Sequence, residues 1–292
     1  MSAATNAAGW RDFASLVKLS HSVFALPFAL LSLLVAAEGR PGARLLLLVI
    51  VAVVAARTAA MAYNRFADRD LDRDNPRTAA REIPRGAISP RAALGLVAVA
   101  SVVFLACCWL LAPICGWLGL PTLAWLLAYS HLKRFSWLCH VWLGAALGLA
   151  PIAAWLAVDG QFSARMWLPT LLAAGVVCWV AGFDVLYACQ DETHDRRVGL
   201  QSIPARFGAK AAMNVSRALH VLATVAFAAF GWLSPLGGTF LIGVMLSACL
   251  LVWQHRLLRP DDLSRIDMAF FTANGTIAVV MFVAGCLDLY VF

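Results

Sequence analysis

RLLLLVIVAVVAARTAAMAYNRFADRDLDRDNPR, residues 44–77, decides how the rest of the chain is read. From Leu45 to Tyr63 its only charged residue is Arg57. From Asn64 onward the chain turns abruptly polar, with acids and arginines alternating to Asn75-Pro76. About twenty apolar residues in a helix match the ~30 Å hydrocarbon core of a bilayer. The stretch therefore reads as a membrane span that leaves the lipid carrying a polar motif.

Eight further apolar segments repeat the pattern, at 20–38, 92–112, 114–130, 137–158, 166–189, 211–232, 237–255 and 267–289. Only Pro113 separates the third span of the chain from the fourth. The expected fold is all-α: a polytopic membrane protein of nine transmembrane helices, in one domain over residues 1–292. The first segment reads as a span and not a cleaved leader, because a polar lead of about twenty residues is long for a signal peptide.

Composition excludes the alternatives. The chain is 62% hydrophobic and 13% charged, with a mean hydropathy of +0.80, whereas soluble domains are about half apolar and a quarter charged. The net charge of +7 is explained by basic loops facing the cytoplasm and anionic lipid, so nucleic acid is not expected as a partner. With the N-terminus inside, eighteen Lys and Arg residues fall on the cytoplasmic side and three (Arg40, Arg44 and Arg165) on the other. This charge bias orients the protein in an inner membrane, with its C-terminus outside. The eight cysteines show no CxxC or metal-ligand spacing and read as small buried hydrophobes.

Two polar loops, 64–91 and 190–210, lie on the cytoplasmic side and echo each other. Asn64, Asp68 and Asp72 recur as Tyr187, Asp191 and Asp195 at a constant offset, and Ile83-Pro84 is answered by Ile203-Pro204. An internal repeat of about four helices follows, with two half-repeats around a central cavity. Residues four apart share a helix face, so each triplet forms a ladder of oxygen-bearing side chains where a span leaves the membrane. Asp70 and Asp74 point off the first ladder, beside Arg69 and Arg73. Asp184 lies deeper, within an apolar run, where an ionised carboxylate is a mark of function. His194 falls off the second ladder and reads as solvated.

Magnesium takes one or two carboxylates together with phosphate oxygens and water. Two facing ladders can hold Mg2+ ions that bridge to a diphosphate, with Arg and Lys stabilising the leaving group. A proton-coupled transporter would also carry intramembrane acids and a repeat, but nearer the midplane than at one face. A phosphatidyl-type alcohol transferase lacks its DGxxAR lead-in here.

These motifs resemble the UbiA family of intramembrane aromatic prenyltransferases. HSVFALPFALLS at 21–32, NPRTAAREIPRG at 75–86, GFDVLYACQD at 182–191, GLQSIPARFG at 199–208 and AFFTANG at 269–275 are similar to its 4-hydroxybenzoate polyprenyltransferase branch. The resemblance implies transfer of a polyprenyl group from polyprenyl diphosphate to an aromatic acid. A 4-hydroxybenzoate acceptor would mean ubiquinone synthesis, a dihydroxynaphthoate menaquinone. It implies Asn64, Asp68, Asp72, Asp191 and Asp195 as metal ligands, the four acids also being catalytic. It points to Lys133, Arg134 and Arg69 as substrate-binding cations, beside Tyr187, Asp184 and the intramembrane Arg57. Arg134 is the expected partner of the acceptor carboxylate, and His21 reads as a structural histidine. Arg65 departs from the pattern, since many members carry an acid there.

Overall fold

The computed structural model describes residues 9–17 and 24–291. His21 lies outside the described residues. All nine expected segments contain a helix: α2 (Leu26–Ala36), α3 (Ala43–Ala67), α5 (Pro90–Leu111), α6 (Pro113–Leu132), α7 (Cys139–Asp159), α8 (Trp167–Ala188), α11 (Ala209–Leu233), α12 (Gly238–Arg256) and α13 (Asn274–Tyr290). Four short helices lie outside the membrane set: α1 (Trp10–Val17), α4 (Arg69–Asp74), α9 (Glu192–Val198) and α10 (Ile203–Phe207). Seven helices are long and apolar enough to cross a bilayer. The other two expected spans differ in kind. α2 has only 11 residues, and α6 is diluted by Gly116, Gly119, Pro121 and His131.

Local chemistry sets the helix ends. Pro113 lacks an amide hydrogen and starts α6 directly after Ala112, whose extended backbone turns the chain back from α5. Asn75, extended before Pro76, ends α4. Ser89 and Ser202 cap α5 and α10 by accepting hydrogen bonds from the amides of Ala92 and Ala205.

The two halves correspond in order. α3, α4 and α5 find their counterparts in α8, α9 and α11, with α10 inserted and α13 closing against α2 and α12. α8 is the most buried of the seven spans because α7 and α11 flank it. Gly144 and Gly148 bring α7 close to α8. A Cβ at Gly144 would lie 2.4 Å from the Val177 carbonyl oxygen, and one at Gly148 would lie 2.8 Å from Val177 Cγ2. Small residues four apart allow this close approach of helices in lipid. Ser32 Oγ donates to the Pro151 carbonyl at 2.6 Å and ties α2 to α7.

Outward faces carry apolar residues such as Val99 and Met245, at 64% and 65% exposure, the surface a bilayer covers. Trp109, Trp117, Trp167 and Trp232 are exposed at the helix ends opposite the polar loops, forming one aromatic interface belt. Five of the eight cysteines are buried, as expected. Cys178 and Cys286 are half-buried, and Cys249 lies exposed on α12, facing the space a bilayer would fill.

Gly144→Leu should lower the detergent-solubilised unfolding temperature, at a cost of about 1–3 kcal/mol from overpacking. Gly95→Ala meets open space and should leave that temperature unchanged or slightly raised, as read by thermal unfolding of both variants.

Candidate active site

The expected ladders are not continuous helices. α3 stops at Ala67 and α4 restarts at Arg69, with Asp68 between them at φ −95° and ψ 4°. In the second half a short 3₁₀ turn, Cys189–Asp191, ends at Asp191 with φ −99° and ψ 4° before α9 begins. The same break falls at the middle acid of each triplet. The first triplet keeps i→i+4 contacts across its break, the Asp68 amide donating to the Asn64 carbonyl at 2.9 Å and the Asp72 amide to the Asp68 carbonyl at 2.7 Å. The triplets nevertheless converge.

Asp68 and Asp72 are buried, with side chains 2% and 6% exposed. Asn64 Nδ2 donates to Asp68 Oδ2 at 3.1 Å, and Lys133 Nζ lies 2.8 Å from the same oxygen. Arg134 donates to the Ala67 carbonyl at 2.7 Å and sits 3.5 Å from Asp68 Oδ1. That oxygen is buried without a hydrogen-bond partner. Arg81 Nη1 spans both oxygens of Asp72, at 2.7 and 2.8 Å.

The halves meet at Asp191. Asn75 Nδ2 donates to its Oδ1 at 3.0 Å, and Arg77 grips both oxygens, with Nε at 2.9 Å from Oδ1. Arg77 also reaches the Tyr187 hydroxyl at 3.4 Å. Burial works against the Arg77 charge, yet its bond to Asp191 and the field of that carboxylate raise its pKa above the ordinary guanidinium value. Asp195 Oδ2 accepts from the Ser202 hydroxyl at 3.1 Å. The linker after α6 joins both loops, since the Lys133 carbonyl accepts the Gln201 amide at 2.6 Å.

Arg69 donates to the Phe66 carbonyl, stacks over the Phe66 ring at 4.6 Å and pairs with exposed Asp70. Among the described residues no group of three His, Cys, Asp or Glu could share a single ion, and each expected ladder carries two carboxylates. His194 is half-buried, and its Nδ1 is buried without a partner.

Beneath the acids lies a cavity of about 420 Å³, lined by residues of α3 from Val49 to Arg65. Sixteen residues of helix rise correspond to about 24 Å of depth. Asn64, Arg65 and Arg81 stand at its polar end, and Leu111, Cys108 and Cys115 at its apolar end. Tyr129 and Tyr187 line it toward the polar end, and Arg57 and Asp184 line it deeper. The Arg57 Nε is buried without a partner. Phe24, Phe183, Tyr187 and Phe270 add aromatic faces, with Tyr187 and Phe270 4.3 Å apart between centroids.

Phe270 sits in a π-helical turn, Met268–Ala273, a feature that recurs at functional sites. Asn274 Nδ2 donates to the Phe270 carbonyl at 2.8 Å, and its oxygen accepts from Trp179 Nε1 at 2.9 Å. Arg77, Arg81 and Asn75 were not singled out by spacing, though NPRTAAR is among the motifs quoted above. Asn75 and Arg77 find their partner Asp191 across the repeat and Arg81 finds Asp72 within its own loop, pairings that only the three-dimensional structure reveals.

Residues 25–276 match the UbiA prenyltransferase family, and the chain belongs to that family. A 4-hydroxybenzoate octaprenyltransferase of Aromatoleum aromaticum is 32% identical over 89% of this chain and 87% of its own. One from Yersinia enterocolitica is 29% identical over 94% of each. Among solved structures, a UbiA homologue from Aeropyrum pernix superposes with a TM-score of 0.82 at 35% identity, over 90% of this chain and 96% of that one. A homologue from Archaeoglobus fulgidus bound to DMAPP and Mg2+ shares the fold at 17% identity, TM-score 0.70, over 96% and 100%. The chain is a multi-pass membrane prenyltransferase.

Arg77→Ala should release the 75–88 segment from the second half. Amide exchange there should quicken, whereas Arg73→Ala, whose side chain is 63% exposed, should leave it unchanged.

Proposed function

We propose that the protein transfers a polyprenyl group from polyprenyl diphosphate to an aromatic acid, 4-hydroxybenzoate first among them, in ubiquinone synthesis. One observation carries this reading: acids of both half-repeats, clasped by cations and joined through Asn75 and Arg77, are bonded to the residues that form the polar end of a deep apolar cavity. An ionic head and a long hydrocarbon tail need that juxtaposition. The curated relatives named for the same reaction support it.

The oxygen donors at the mouth suit magnesium. Asn64, Asp68 and Asp72 would hold one ion and Asp191 and Asp195 another, each with few protein ligands and the rest from diphosphate and water. Bound magnesium supplies neutralisation of the diphosphate charge. Lys133, Arg134, Arg77 and Arg81 assist as the allylic C–O bond breaks and its electron pair leaves with the diphosphate. The faces of Phe183, Tyr187 and Phe270 stabilise the allylic cation, at about 0.5–1 kcal/mol each. A C–C bond then forms to the ring carbon ortho to the hydroxyl, the para position of 4-hydroxybenzoate being occupied, and the proton of that carbon passes to Asp184.

Arg57 pairs with the acceptor carboxylate, because its guanidinium lines the cavity with a buried unpartnered Nε. Arg134, the cation first expected in that role, is engaged beside Asp68. The N-terminus and both motif loops face the cytoplasm of an inner membrane, in keeping with the charge bias, and the tail enters from membrane lipid.

Purified protein with Mg2+, labelled polyprenyl diphosphate and 4-hydroxybenzoate should yield a prenylated acid by mass, and EDTA should abolish it. Product from a dihydroxynaphthoate alone would reassign the acceptor, and no product from any phenolic acid would overturn the reading. Asp68→Ala and Asp191→Ala should each lower turnover on the order of 10²-fold or more without loss of fold by circular dichroism. Arg57→Leu should raise the acceptor KM roughly tenfold, the equivalent of one charge-assisted hydrogen bond, and leave the donor KM within about twofold.

A further inference from the structure

We infer that His140 is a positioning residue that fixes Asp184 for the acceptor. The inference rests on the reading that Asp184 receives the proton of the acceptor ring. His140 is buried at 3% exposure near the start of α7, in a segment that the sequence motifs left unassigned. Its Nδ1 lies 2.7 Å from Asp184 Oδ2. On the other side of the ring, the backbone amide of Ile203 donates to Nε2 at 3.3 Å.

The second contact fixes the first. A backbone N–H can only donate, so Nε2 must accept and carries no hydrogen. The single ring proton therefore sits on Nδ1 and is directed at Asp184, whose Oδ2 accepts it as a carboxylate. An imidazolium would set two N–H groups against each other at Ile203. With Oδ2 committed and the carboxylate plane held, Oδ1 is the oxygen left to receive a hydrogen bond, and later a proton, from a ring in the cavity that Asp184 lines.

The anchor is itself tied to the second acid cluster. Ile203 is the first residue of α10, and Ser202, which caps that helix, donates to Asp195 Oδ2 at 3.1 Å. One line of bonds thus runs from Asp195 through Ser202, the Ile203 amide and His140 to Asp184. It gives the repeated Ile-Pro element of the second loop a task in the cavity: its backbone selects the tautomer that orients the acid.

Glutamine and leucine separate this role from bulk packing. In His140→Gln the side-chain amide can donate to Asp184 while its oxygen accepts from Ile203, and His140→Leu can do neither. His140→Leu should lower kcat/KM for the acceptor roughly tenfold or more, the cost of a buried donor and acceptor left unpaired, with the donor KM within about twofold. His140→Gln should recover most of the loss. Magnesium-dependent binding of a non-hydrolysable prenyl thiodiphosphate, measured by calorimetry, should match wild type in both, which shows that each variant is folded.

Leucine and wild-type proteins with equal acceptor kcat/KM would overturn the inference. So would a glutamine variant as impaired as leucine while still binding the thiodiphosphate, or a leucine variant that has lost thiodiphosphate binding along with acceptor turnover. Wild-type protein inactive with every phenolic acid would sink the underlying functional reading, a result distinct from all three.

Discussion

The arrangement depends on neutralising acids that a membrane edge cannot solvate well. Asp68 and Asp72 are nearly inaccessible, and like charges so placed repel strongly at low dielectric. Their counter-ions come from elsewhere in the chain. Lys133 and Arg134 descend from the α6–α7 linker onto Asp68, Arg81 folds back onto Asp72, and Arg77 crosses from the first loop to Asp191 in the second half. At Asp191, charge compensation and the joining of the half-repeats are therefore one event: the second half alone would carry this acid without Arg77, and a buried pair so broken would leave an uncompensated charge.

The break at the middle acid of each triplet follows from what those acids must do. Asp68 stands in the bridge region of backbone space, Asp72 is buried one turn on, and Asn75, extended at the end of α4, and Arg77 bond to Asp191. Asp191 takes the same conformation in the second half to within 4° in φ. Bridge-region residues are common at functional sites, and the pairing of two in symmetry-related places shows that the repeat extends to the backbone at single residues.

Helices in lipid declare themselves by length and apolarity, so the spans, the Pro113 junction and the stop at Asn75 were legible in the sequence. So were the acid triplets, because their spacing recurs at a fixed offset. The breaks at Asp68 and Asp191 were not, since neither position carries a proline or glycine to mark it. The partners of the first loop's arginines were also hidden: Arg77 and Arg81 look like any loop arginine until Asp191, across the repeat, and Asp72, in the same loop, are placed beside them. Arg69, inside the same motif, makes local contacts instead, with the Phe66 carbonyl and ring and with Asp70. The aromatics resisted selection because Phe24, Phe183 and Phe270 come from three distant segments and face the cavity only after folding.

Arg65 tests whether charge logic governs the site beyond the ladder. It stands where many members of the family carry an acid, yet it is buried at 4% exposure and lines the polar end of the cavity. Its charge interacts with Asp72, Glu82 and Asp68 as well as with Arg81. Glu82 is itself buried, and the Ser15 hydroxyl of α1 donates to it. Exchanging an acid for Arg65 shifts this pocket by two units of positive charge, which a buried site cannot absorb unless acids surround it. Glu82, held from below by α1, is one such acid, and Asp68 and Asp72 are the others. The departure at 65 is thus compatible with an intact ladder, and it gives the N-terminal helix a structural reason to lie against the first motif loop.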